Sequence, residues 1–181
     1  MRIIAGEWRG RPLIAPEGRA TRPTSDRARE GLFSMLQSRL GSFEGLHVAD
    51  LFAGTGALGL EALSRGAAFC TFIDNERGAV ETLKRNLQAL GATERADLRS
   101  GGVEHAAPPA RPVDLLVMDP PYAQGLADMA LDRIARGGWL APGAMIGVET
   151  AGERLSVPQT LSVETERRFG KAYITLLRTP A

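Results

Sequence analysis

The stretch His47-Val48-Ala49-Asp50-Leu51-Phe52-Ala53-Gly54-Thr55-Gly56-Ala57-Leu58-Gly59 decides the fold. An apolar run ends in a carboxylate, passes through a glycine-rich turn and continues at helical spacing. That pattern predicts a strand over residues 47–52 feeding a helix whose N-terminus faces a ligand. The alternation continues downstream. Residues 58–65 predict a helix, 68–73 a strand, and 76–90 a helix stopped by Gly91. Residues 96–99 predict a short strand, 113–118 a strongly apolar one, and 126–136 a helix stopped by Gly137-Gly138. Strands are expected at 145–149, 161–167 and 172–178. Only Arg168-Phe169-Gly170-Lys171 joins the last two, so they form an antiparallel hairpin at an edge. Strand–helix alternation implies an α/β fold, a mostly parallel sheet with helices on both faces.

Upstream, residues 1–23 carry Gly, Pro and Arg throughout, with two short strands expected at 2–6 and 11–14. After Pro23, Thr24-Ser25-Asp26 reads as a helix N-cap. Ala28, Leu32, Met35, Leu36 and Leu40 follow at helical spacing, and Gly41 is the stop. With 181 residues, one domain is expected over residues 41–181, preceded by a basic extension, residues 1–40. That extension holds eight arginines against four acids, a net +4, while the rest carries 14 basic and 17 acidic residues, a net −3. A basic end on a mildly acidic body fits docking on a polyanion. Arg9, Arg11, Arg22 and Arg27 are the candidate contacts.

One cysteine, Cys70, precludes an internal disulfide and reads as a buried strand thiol. Two histidines and no cysteine pair make no metal site, so no metal is expected. No apolar run approaches a membrane span and residues 1–6 lack a signal-peptide core, so no membrane partner and a cytoplasmic location are expected.

Gly54-Thr55-Gly56-Ala57-Leu58-Gly59 is a literal G-x-G-x-x-G, and Asp74 follows Gly54 by 20 residues at the end of the next strand. This spacing suits a dinucleotide with its ribose on Asp74, so an NAD-dependent oxidoreductase is one reading. Asp50 favours another. A carboxylate beside a pyrophosphate is unfavourable, whereas beside a sulfonium and an ammonium it is favourable. S-adenosyl-L-methionine carries both cations and no phosphate. The candidate cofactor residues are Asp50, Phe52, Gly54, Gly56, Asp74 and Asn75.

About 65 residues on, the apolar strand ends in Asp119-Pro120-Pro121-Tyr122. Prolines fix the backbone and remove N–H donors, leaving carbonyls as acceptors. An exocyclic amine on a nucleobase is a poor nucleophile because its lone pair is delocalised into the ring. Acceptors on both amine hydrogens favour a pyramidal nitrogen whose lone pair can meet a methyl group. Asp119 and the carbonyl of Pro120 are the candidate acceptors, and Tyr122 the stacking surface.

These residues resemble the class I S-adenosylmethionine-dependent methyltransferases that carry this Asp-Pro-Pro-Tyr motif and act on exocyclic amines. Residues 1–13 (MRIIAGEWRGRPL), 22–36 (RPTSDRAREGLFSML), 48–67 (VADLFAGTGALGLEALSRGA) and 114–122 (DLLVMDPPY) narrow the resemblance to the bacterial 16S ribosomal RNA guanine-N2 methyltransferases. It covers almost the whole chain. It implies a seven-stranded Rossmann-like sheet and methyl transfer to N2 of one guanine in 16S rRNA, within the small ribosomal subunit or an assembly intermediate. A monomer is expected. It places Asp50, Gly54, Gly56 and Asp74 on cofactor positions and Asp119, Pro120 and Tyr122 on the base pocket. Arg22, Thr24, Asp26 and Arg27 match its N-terminal signature. Two positions depart from the family pattern: Asp74 stands where Glu is commoner, and Gly101-Gly102 where a small polar residue often meets the adenine. An adenine-N6 DNA methyltransferase shares the motif, although little chain remains here for a target-recognition region. A non-catalytic ribosome-assembly factor on the same fold is a further reading.

Overall fold

The computed structural model describes residues 1–16, 23–122, 125–152 and 154–181, with the side chains of 23–25 outside the description. Strands β1 (His47–Leu51), β2 (Phe69–Asp74), β3 (Ala96–Ser100), β4 (Val113–Met118), β5 (Leu140–Thr150), β6 (Ser162–Phe169) and β7 (Ala172–Arg178) form one sheet. Its order is β3-β2-β1-β4-β5-β7-β6. The first five strands run parallel, and β7 is antiparallel to both β5 and β6. Helices α1 (Pro23–Leu40), α2 (Ala57–Ser64), α3 (Arg77–Leu90) and α4 (Leu126–Arg136) cover the faces.

Successive side chains of a strand point to opposite faces, so a strand covered on both sides reads as a continuous apolar run. In β4, Leu115 and Val117 pack with the apolar residues of α1, α2 and α3. Leu116 and Met118 pack on the other face with Ala130, Leu131 and Ile134 of α4 and with Trp139. That double burial explains the run 113–118.

Three boundaries differ from expectation. The two N-terminal strands reduce to a single bridge, Arg2 to Pro12, because residues 5–10 curl through Gly6 and Gly10 at φ 87° and 80°. Helix α1 begins at Pro23 rather than after a Thr24–Asp26 cap, since the fixed φ of proline suits a first helical turn. Strand β5 begins at Leu140 because Val113 pairs with Leu140 before the register jumps to Leu115 with Met145. The jump passes Pro142, which has no N–H to give a ladder.

Residues 1–16 and helix α1 share the main core. Ile3, Trp8 and Leu13 are buried with Leu32, Leu36, Leu60 and Leu63. The fully buried carboxylate of Glu61 accepts from the Ile4 and Ala5 N–H groups at 2.8 and 3.0 Å and pairs with Arg65 at 2.9 Å. Ser64 accepts from Trp8 N–H at 3.0 Å and donates to the Ala5 carbonyl at 2.6 Å. Gly6 lies so close that a Cβ there would stand 1.8 Å from the Ser64 carbonyl oxygen.

Candidate methyltransferase active site

A cleft of about 560 Å³ opens at the C-terminal ends of β1, β2, β4 and β5. The chain runs outward from β1 in one direction through β2 and β3, then in the other through β4 and β5. Such a switch leaves a crevice above the sheet, where open α/β folds bind ligands. Five carboxylic residues line it: Asp50, Asp74, Glu76, Asp119 and Glu149.

The glycine loop forms one wall. The chain leaves β1 through Phe52 at φ 55°, a conformation uncommon for a residue with a side chain, then turns through Gly54 at φ 57°. Asp74 fixes that loop: its Oδ2 accepts from Gly54 N–H and its Oδ1 from Glu76 N–H, each at 2.8 Å. Each oxygen keeps lone-pair capacity for a ribose hydroxyl. Asp50 is 1% exposed, and its Oδ2 accepts from Gly59 N–H at 2.8 Å. Phe52, Gly54 and Asn75 also line the cleft. Gly56, a candidate cofactor residue, does not. It sits below, at φ 83°, where a Cβ would meet Leu83 Cδ1 at 2.1 Å, so its part is to let the loop close onto α3. Neither Gly101 nor Gly102 lines the cleft, and Gly101 N–H donates to the Asp74 carbonyl at 3.0 Å.

Asp119, Pro120, Pro121 and Tyr122 form the facing wall. Asp119 has solvent access through the cleft, yet protein surrounds it on its other sides. That burial raises its pKa to about 6. Pro120 is buried, and Tyr122 holds its ring 66% exposed at the rim. Burial raises Asp50 well above the usual carboxylate range, and the neighbouring Asp119 and Asp74 raise it further. Crowded carboxyl groups favour a cation among them and oppose a phosphate. The donor set therefore fits a ribose on Asp74 and a cationic centre near Asp50, as S-adenosylmethionine presents.

Three residues of the site escaped the sequence reading. Glu149, 5% exposed, ends an apolar strand as Asp50, Asp74 and Asp119 do, and that shared pattern was its signal. Arg29, 4% exposed, comes from α1 and reaches the same cleft, its position three residues after its partner Asp26 being the only hint. Asn86 lies outside the cleft but ties it together. Its Oδ1 accepts from Ile14 N–H at 2.7 Å, and its Nδ2 donates to the carbonyls of Ile14 and Thr55 at 3.0 Å each. It thereby fixes the N-terminal segment, whose Met1, Ala15 and Pro16 line the cleft, against the glycine loop.

The candidate RNA contacts scatter more widely. Arg9 and Arg27 are exposed. Arg11 is exposed too, and its Nη2 donates to the Ala89 carbonyl at 2.8 Å. Arg22 lies outside the described residues.

The strand order with its reversed seventh strand is that of class I methyltransferases. The ribosomal RNA small subunit methyltransferase D of Escherichia coli (strain K12) is 38% identical over 183 residues, covering 100% of this chain and 91% of that protein. The Haemophilus influenzae protein of the same name is 37% identical over 94% of this chain and 89% of its own. The solved structure of Escherichia coli yhhF superposes with a TM-score of 0.87 at 37% identity, over all of this chain and 98% of that one. The model of the family described as conserved hypothetical protein 95 matches residues 1–178, and the chain belongs to that family.

Proposed function

We propose that this protein transfers a methyl group from S-adenosyl-L-methionine to the exocyclic N2 of a specific guanine in 16S rRNA of the small ribosomal subunit. One observation carries the reading: the Asp119-Pro120 acceptors and the exposed Tyr122 ring face the Asp50 and Asp74 wall across a single cleft. Relatives named as ribosomal RNA small subunit methyltransferases supply the substrate class.

When bound, S-adenosyl-L-methionine supplies a methyl group activated on a sulfonium. Asp74 holds the ribose hydroxyls, the Gly54 turn admits the ligand close to the backbone, and Asp50 favours the cationic end. Phe52 and Asn75 complete that wall. Tyr122 stacks on a guanine swung out of its helix. Asp119 and the Pro120 carbonyl accept from the N2 hydrogens, which directs the nitrogen lone pair toward the methyl. Asp119, with its pKa near 6, takes the proton that N2 releases. The residues act by position and preset polarity rather than through a covalent step.

Within residues 1–40, Arg9, Arg11, Arg22 and Arg27 contact the rRNA, while residues 41–181 carry the transfer. The enzyme acts as a monomer. Ribosomal substrate places the enzyme in the cytoplasm. The test is incubation with labelled S-adenosylmethionine and, separately, small subunits, free 16S rRNA and DNA, followed by mapping of the modified base. Label on N2 of one guanine is expected. Label on adenine N6 in DNA, or none anywhere, overturns the reading.

A further inference from the structure

Glu149 is a buried group in the cleft that the transfer itself leaves unused. Met118 and Val148 pair in register on β4 and β5, so Asp119 and Glu149 follow side by side at the sheet edge. Neighbouring strands stand about 4.8 Å apart, the scale of one purine edge. Glu149 is 5% exposed and lines the cleft, and its carboxylate makes no hydrogen bond or ion pair among the described residues. Arg29, the only arginine or lysine lining the cleft among the described residues, is equally buried. Its Nη2 donates to the Arg2 carbonyl at 2.6 Å and to Asp26 at 3.3 Å, but its Nε has no partner. An unpaired carboxylate facing the cleft and a buried guanidinium nitrogen without a partner beside it point to a ligand that satisfies polar groups there.

We propose that Glu149 is the specificity residue that reads the lactam edge of the target guanine, its carboxyl pairing with N1–H and O6 while Asp119 holds N2. The inference rests on the guanine-N2 reading. With the C2 amine at Asp119, the next two groups along the same edge of guanine are a donor, N1–H, and an acceptor, O6. A protonated carboxyl offers the matching pair: its carbonyl oxygen accepts from N1–H and its O–H donates to O6. Burial, with the nearby Asp119 charge, raises the Glu149 pKa to about 8, which keeps that proton in place near neutrality. Arg29 opposes the shift without pairing directly with Glu149. Beside its own amine, adenine presents an acceptor and a C–H, so the pair of bonds cannot form. A site built to bond two groups rejects a base lacking them, because its own polar groups then stay unpaired.

The experiment uses 16S rRNA carrying either guanine or 2-aminopurine at the mapped target, assembled into small subunits. 2-Aminopurine keeps the C2 amine and lacks both N1–H and O6. Wild type, Glu149→Gln and Glu149→Leu are compared by kcat/KM, with S-adenosylmethionine affinity measured alongside. Wild type is expected to favour guanine by about 10- to 100-fold. Glu149→Gln, whose amide offers the same acceptor and donor, keeps the preference. Glu149→Leu loses it, with the guanine rate falling to the 2-aminopurine level and cofactor affinity unchanged. The pH profile is a second readout that separates this role from a structural one: the wild-type preference declines above about pH 8, and that decline is absent in Glu149→Gln. Equal preference in all three proteins, or a loss carried by cofactor affinity, overturns the inference. A wild type that methylates the C2 amine of neither base overturns the guanine reading itself.

Discussion

At the scale of single residues, the cleft divides its work between two walls, and the two respond differently to substitution. Asp74 braces the glycine loop through two backbone N–H groups and still has lone pairs for ribose. Asp74→Ala therefore weakens S-adenosylmethionine binding by roughly 10- to 100-fold, since a hydrogen bond to a charged group contributes about 1.5–3 kcal/mol. Calorimetry checks this, and equal affinities for mutant and wild type would remove Asp74 from the cofactor site. On the facing wall, Asp119→Ala is expected to abolish turnover while cofactor affinity stays close to wild type. It removes an acceptor that matters most as the N2 lone pair commits to the methyl. Tyr122→Ala weakens capture of the base, and Tyr122→Phe retains much activity because stacking needs the ring. Should Phe prove as damaging as Ala, the hydroxyl rather than the ring is what counts.

At the scale of elements, residues 1–16 hold two roles together. Their apolar side chains complete the core and their arginines stay outside. Trp8 is buried, with the Arg95 guanidinium 5.3 Å above its ring. Trp8→Ala should cost about 3–5 kcal/mol in denaturant unfolding, the usual range for a core Trp truncated to Ala. A loss under 1 kcal/mol would mean the segment peels away freely. The exposed Arg9 and Arg11 should act chiefly on RNA, although Arg11 also donates to the Ala89 carbonyl. Phosphate contacts release counterions, so each one removed flattens the dependence of log affinity on log salt by a little under one unit. Arg9→Ala/Arg11→Ala is therefore expected to reduce that slope by up to about two units, with cofactor affinity intact. An unchanged slope with methylation retained would place RNA recognition on another surface.

At the scale of the whole molecule, the acidic cleft makes stability depend on pH in an unusual direction. Asp50, Asp119 and Glu149 all have folded pKa values above their unfolded ones. Below about pH 4 both states hold these protons, and the groups make no demand on the fold. As pH rises, the unfolded chain releases protons that the folded chain keeps, so stability falls through about 6 for Asp119 and about 8 for Glu149. Glu149→Gln removes one such group. Its melting temperature should decline less than that of wild type between roughly pH 5 and 9. Parallel curves would show that Glu149 titrates normally. A bound cationic cofactor should offset part of the same loss, because it favours the ionised forms.

The sequence by itself determined the order of strands and helices, the two-faced apolar strand β4, the C-terminal hairpin and the carboxylates of Asp50, Asp74 and Asp119. These are local properties: periodicity, stop residues and an acid at a strand end are written within a few neighbouring positions. Only the tertiary structure decided that Glu149 stands beside Asp119, that Arg29 reaches the cleft from α1, and that Asn86 joins residue 14 to residue 55. It also set Gly56 against Leu83 of α3, and showed residues 1–16 and helix α1 to share the core. Each of these depends on strand register or on contacts between segments distant along the chain. Register is set by the pairing of whole strands, and no short window of sequence carries it.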